Sequence, residues 1–118
     1  MTEKESLLQH IQWIAEEILR NSKSTRVSVK LRTLIRYAYT SSVKNTRDLS
    51  ALRGMIARVK TPSWATSPFY YRRAARVLQE KLNAKLDRSR SDVYVVLDKH
   101  AIKEPGRSEQ GREAYMDA

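Results

Sequence analysis

The sequence predicts an all-α protein, a bundle of about four helices with a short strand allowed near the C-terminal end and a flexible tail. Two observations favour this fold class. Apolar residues recur at three- and four-residue intervals over most of residues 3–86, and helix-start signals precede several of these runs. The 118 residues suffice for one core, so we expect a single basic helical domain over 1–102 and a flexible C-terminal tail over 103–118.

The first helix is predicted over residues 3–20. Thr2 and Glu5 have the spacing of a capping box, and the apolar residues between Leu7 and Leu19 recur at helical intervals. Their stripe is broad, so this helix is expected to pack on the rest of the fold or on a second copy. His10 lies at the edge of the stripe and is interpreted as a structural histidine, because nothing nearby in the sequence completes a metal or catalytic set.

Two further helices are predicted over 26–41 and 47–60, on either side of the run SSVKN. Each carries an apolar stripe at helical spacing, and Thr46 is placed to cap the second of them. The first has an almost purely cationic opposite face, because no acid shares the helix with its arginines and lysine. Gly54, inside the other, is expected to permit a close helix contact.

A fourth helix is predicted from the stretch FYYRRAAR, which follows the loop TPSWATSP. Ser67 and Pro68 have the order of a cap and a first helical residue, and Trp64 in the loop is expected to fold back onto the core. Helical spacing places Tyr71 and Leu78 on the core side and the arginines outside. The later run SDVYVVLDKH is typical of a strand, which would need a partner and could pair between chains.

The charge is concentrated in the middle of the chain. Residues 20–90 carry eighteen Lys and Arg against three Asp and Glu, a net of +15, whereas the whole chain has a net charge of +10. Such a density of like charges favours a polyanionic partner, and the excess of arginine over lysine favours phosphate. We therefore expect a nucleic acid as the partner, DNA rather than RNA, together with further copies of the chain itself.

Catalytic and metal-binding patterns are missing from the sequence. It has no cysteine and two histidines, and it contains no glycine-rich phosphate loop, HExxH or GxSxG motif. We predict no catalytic residue, no metal and no cofactor, and hence no enzyme. No apolar run approaches the roughly 20 residues of a membrane span, and the N-terminus lacks a signal-peptide layout, so an intracellular or virion location is expected.

Two modes of nucleic-acid binding fit these observations. In the first, the arginine-rich faces coat the phosphate backbone without reading bases. In the second, the helices around SSVKN form a helix-turn-helix regulator. The spread of charge over about seventy residues favours coating. The predicted phosphate-binding residues are the cations on the outward faces of the helices: Arg26, Lys30, Arg32, Arg36, Arg53, Arg58, Arg72, Arg73 and Arg76.

In size, charge and helical layout, roughly residues 1–90 resemble the small basic α-helical coat proteins of filamentous archaeal viruses, in which many copies wrap double-stranded DNA. The runs VSVKLRTLIRYA and LSALRGMIARV also look like the paired basic helices of the helical small subunit of CRISPR effector complexes. Both resemblances imply a structural subunit, repeated along a nucleic acid in a nucleoprotein assembly. Neither transfers a particular binding residue, since the likeness is one of architecture.

Overall fold

The computed structural model describes residues 2–88 and 91–102 and shows an α+β fold, so the predicted all-α class is wrong. The elements in chain order are α1 (Glu3–Asn21), β1 (Arg26–Lys30), α2 (Leu31–Lys44), α3 (Leu49–Met55), α4 (Pro68–Leu82), β2 (Lys85–Asp87), β3 (Tyr94–Asp98) and α5 (Lys99–Ile102). A 3-10 turn, Ser63–Thr66, precedes α4. The expected tail over 103–118 lies outside the described residues.

The three strands form one antiparallel sheet in the order β1-β3-β2. The last strand is central: β1 pairs with it from Arg26 opposite Asp98 to Lys30 opposite Tyr94, and β2 pairs along its other side. The strand expected within residues 91–98 is thus confirmed. Its partners lie within the chain and not in a second copy, the alternative that the sequence allowed, because both of its sides are already paired.

The segment RVSVK forms β1, although its spacing predicts the first turns of a helix. Its exposure alternates, with Val27 and Val29 turned toward the core and Arg26, Ser28 and Lys30 toward solvent. This period of two is the pattern of a half-buried strand. The second helix therefore begins at Leu31, whose amide donates a hydrogen bond of 2.9 Å to the carbonyl of Val93.

The core lies between the helices and one face of the sheet. Alternate residues of β3, Val95 and Leu97, are buried, while the residues between them are partly exposed. The helices α1, α2 and α4 contribute most of the other buried side chains, which are Leu7, Ile11, Ile14, Ala15, Leu19, Leu31, Leu34, Ile35, Ala38, Tyr70, Ala74, Leu78 and Leu82. The N-terminal ends of α1 and α4 are held by side-chain caps, since the predicted capping box and the Ser67 cap are both present.

Tyr70 is the fully buried aromatic ring of α4. Its side chain is 2% exposed, its hydroxyl donates a 2.7 Å hydrogen bond to the carbonyl of Lys4 in α1, and its ring meets the edge of Trp64. The predicted return of Trp64 to the core is confirmed. Tyr71, which was predicted on the core side, is half-buried and packs at the margin of the core.

The helix predicted over 47–60 is shorter than expected. It begins after Asp48, whose carboxylate accepts a 3.0 Å hydrogen bond from the amide of Ser50, and it ends at Met55. Thr46, the expected cap, lies two residues before Asp48. A Cβ added to Gly54 would meet nothing within 4 Å, so the close contact expected there is wrong.

Candidate nucleic-acid interface

Four outward side chains of α4 form one stripe along the helix. Phe69, Arg72, Arg73 and Arg76 follow the spacing i, i+3, i+4 and i+7, which places them on one face, opposite the buried stripe that contains Tyr70 and Leu78. Together they line a shallow pocket of about 300 Å³. We call this set the α4 stripe. The structure therefore brings together three of the nine predicted binding residues, and the stretch FYYRRAAR divides between core and surface.

The arginines of the α4 stripe have no ion-pair partner among the described residues. Arg72 and Arg76 are exposed, whereas Arg73 is half-buried and close enough to Glu5 for its charge to contribute to the lowered pKa of that carboxylate. Three guanidinium groups within about two turns repel one another, and that repulsion falls when an anion binds between them. The guanidinium groups of the α4 stripe can therefore donate hydrogen bonds to a phosphate or another anion.

The residue that follows β2 is another arginine near the stripe. Arg88 follows β2 and lines a second pocket of about 300 Å³ together with Arg72 and Tyr71. Arg72 belongs to both pockets, so the cationic surface continues from α4 to Arg88. Sequence reasoning missed Arg88, because its place in a basic region does not distinguish it from the other cations until the fold sets it beside α4.

Lys30 and Arg32 share one acidic partner. The Lys30 Nζ lies 3.4 Å from one carboxylate oxygen of Asp92, and an Arg32 Nη lies 3.7 Å from the other. A hydrogen bond with the Tyr71 hydroxyl raises the pKa of Arg32, and the charge of Asp92 raises it further. These two predicted residues are partly neutralised, but such exposed ion pairs are weak, so both cations remain available to a stronger anion.

The other predicted residues lie apart from this surface or are not joined to it by any described contact. Arg26 stands at the far end of β1, about 13 Å from Lys30 along the strand, and pairs with Asp98 at 3.7 Å. Because Arg26 and Lys30 lie on a strand, the prediction that they share a helical face with the arginines of α2 is wrong. Arg36 is exposed one turn after Arg32 on α2. Arg53 and Arg58 are exposed on α3 and in the turn after it, and α3 contacts mainly α2.

A second aromatic and basic cluster lies between α1 and the connection from α2 to α3. The Arg47 guanidinium stacks on the Trp13 ring at 3.8 Å, and the edge of His10 meets the same ring. The Nδ1 of His10 donates to the carbonyl of Ser6 at 2.8 Å, which agrees with its interpretation as a structural histidine. This cluster borders a pocket of about 440 Å³, but its cation is already held by an aromatic face.

Within residues 2–88 and 91–102, no group of three or more metal-ligating side chains is arranged to hold a metal ion. No helix in the same part of the chain combines the length and apolar character needed to span a bilayer. Comparisons of the chain with protein-family models, with curated proteins and with solved structures find no match.

Proposed function

We propose that this protein binds double-stranded DNA through the α4 stripe, without catalysis, and that Arg88 lies against the neighbouring backbone. The observation that supports this proposal is the set of three arginines without ion pairs, among the described residues, on one exposed helix face directly opposite the buried face. A helix packed on one side and cationic on the other is the element with which many proteins enter DNA. The function rests on this surface and on no homologous protein.

The dimensions of α4 suit the major groove of DNA. A helix with its side chains is about 10 to 12 Å wide, and the major groove of B-form DNA is about 12 Å wide. The α4 stripe extends for about 10 Å, so it can follow the groove over a few base pairs. The deep, narrow major groove of an RNA helix does not admit a helix in this way. The geometry therefore favours DNA over duplex RNA.

This mode differs from the helix-turn-helix predicted around SSVKN, because the helix with the free cationic face is α4 and not the short α3. The binding residues proposed here follow from exposure and charge.

A structural subunit that coats DNA in many copies is the second candidate. It is favoured by the exposed cations on other parts of the surface, namely Arg26, Arg36, Arg53 and Arg58. The sheet removes part of the helical layout on which the likeness to viral coat proteins rested. Coating nevertheless remains compatible with a net charge of +10 and would use several faces of each copy at once.

Fluorescence anisotropy with a labelled duplex, measured over a salt series, tests the proposal. Changing Arg72, Arg73 and Arg76 together to Ala is expected to weaken binding and to reduce the slope of log affinity against log salt by roughly 0.9 for each phosphate that the variant no longer neutralises. The matched control changes Arg53 and Arg58 to Ala. Melting temperatures should stay nearly constant in both variants, because all five side chains are at least partly exposed.

The two candidates give different results in this experiment. Groove binding by α4 predicts a large effect of the triple change and a small effect of the control. Coating predicts that both variants reduce the slope by comparable amounts per arginine. Unchanged affinity and slope in the triple variant would refute binding through the α4 stripe.

A further inference from the structure

The most exposed large apolar side chain among the described residues belongs to the α4 stripe. Phe69 is 63% exposed, in the first turn of α4, and it shares its pocket only with the three arginines. It is absent from the buried core and from the residues packed against it. The fold therefore leaves this phenyl ring free to contact a partner at the surface that the arginines form.

We propose that Phe69 contacts the methyl group of thymine in the major groove, so that α4 reads bases in addition to binding phosphate. This inference rests on the proposed function, since it needs α4 to lie in a DNA groove. It makes Phe69 a specificity-determining residue and predicts that preferred sites contain thymine at the position facing the first turn of α4.

The charge around Phe69 restricts what can cover it. An apolar partner protein would have to bury the ring beside three arginines that lack ion-pair partners in the described structure, and desolvating those charges would be costly. Phosphate groups satisfy the arginines but offer nothing to a phenyl ring. DNA supplies a partner for the arginines and a partner for the ring, because the thymine methyl is an apolar group on the floor of a groove whose edges are phosphates.

The position of Phe69 along α4 also agrees with base contact. Helices that enter the major groove contact base edges mainly with residues near their N-terminus. Phe69 is the second residue of α4, after Pro68, while Arg72, Arg73 and Arg76 follow over the next two turns. With Phe69 directed at the bases, these arginines can reach the flanking phosphates or a neighbouring guanine.

The test uses uracil, which differs from thymine only by the missing methyl group. The duplexes bound best by the protein are selected from a random pool and are then synthesised with thymine or with deoxyuridine. The wild-type protein is expected to bind the thymine form about fourfold more tightly for each methyl group contacted. In Phe69→Ala this difference should disappear, while the salt dependence of binding stays that of the wild type.

Two controls keep the outcomes distinct. Val43→Ala alters the other exposed large apolar side chain of the described residues, which lies near the end of α2, and should retain the preference for thymine. Melting temperature verifies that Phe69→Ala is folded. If wild type and Phe69→Ala both bind the two duplex forms equally, the inference is overturned while DNA binding by α4 stands.

A single-stranded oligonucleotide provides the competing outcome. If the wild-type protein binds it more tightly than the duplex, and Phe69→Ala removes that advantage, Phe69 is a stacking platform for an unpaired base and the methyl contact is refuted. If the wild-type protein binds no duplex at all, the proposed function fails, and this inference fails with it.

Discussion

Tyr70 links α4 to α1, and its two contributions to stability can be separated by substitution. Tyr70→Phe keeps the buried ring and removes the 2.7 Å hydrogen bond to the Lys4 carbonyl. We expect it to lower the free energy of unfolding by about 1 kcal/mol, the usual net value of one such bond. Tyr70→Ala also removes a ring that is 2% exposed and meets Trp64, and should cost about 3 to 5 kcal/mol.

Urea unfolding followed by circular dichroism measures both changes in stability. Tyr71→Ala is the matched control, because it deletes the same side chain from the next position of the same helix, where the ring is only half-buried. We expect its cost to be less than half that of Tyr70→Ala. The reasoning is refuted if Tyr71→Ala costs as much as Tyr70→Ala, or if Tyr70→Phe costs as much as Tyr70→Ala.

Two electrostatic predictions follow. Hydrogen bonds with Thr2 lower the pKa of Glu5 in the folded protein. The ionised Glu5 therefore contributes to stability above the ordinary glutamate pKa of about 4.3, and this contribution is lost as the pH falls through the lowered pKa of the folded state. Melting temperatures measured against pH should therefore fall less steeply in acid for Glu5→Gln, and identical profiles would contradict this. Asp92→Asn removes the acid shared by Lys30 and Arg32, so anisotropy at low salt should show tighter duplex binding, with stability changed by less than about 1 kcal/mol. Weaker binding would count against a role of these cations in the interface.

The helices with strong local signals could be predicted from the sequence. The capping box at Thr2 and Glu5 and the Ser67–Pro68 start fix the beginnings of α1 and α4, because these signals act within a few residues of the chain. It was harder to predict which tyrosine of α4 is buried. Tyr70 and Tyr71 both lie on flanks that can face a core, and the carbonyl of Lys4 and the ring of Trp64 decide between them through the fold.

The strand β1 could not be recognised because its residues satisfy two periods. Val27 and Val29 alternate as in a strand, but Val27 also continues the helical spacing of Leu31, Leu34 and Ile35, and no glycine or proline separates β1 from α2. What decides is its pairing with β3, nearly seventy residues later. The predicted fold class was wrong for this reason. A strand is stable only when it pairs with another strand, and the local sequence pattern does not show which distant segment that is.

The cations of the candidate interface were predicted in type but not in grouping. Helical spacing placed Arg72, Arg73 and Arg76 outside the core, which the structure confirms. Their lack of ion-pair partners in the described structure depends on where Asp92 and Asp98 lie in the fold, which spacing along the chain does not give. Phe69 was not singled out although its spacing to the arginines was visible, because the sequence does not show which of three consecutive aromatic rings the fold leaves exposed.

The central position of β3 constrains how the chain can fold during synthesis. The strands β1 and β2 do not pair with each other. The edge of β1 therefore stays unpaired until Asp98 has left the ribosome and β3 can insert between β1 and β2. Until then the backbone amides and carbonyls along that edge of β1 have no strand to pair with, and closing the sheet requires a contact between distant parts of the chain. A nascent chain stopped before Tyr94 should therefore recruit chaperones or aggregate even though α1, α2 and α4 are complete.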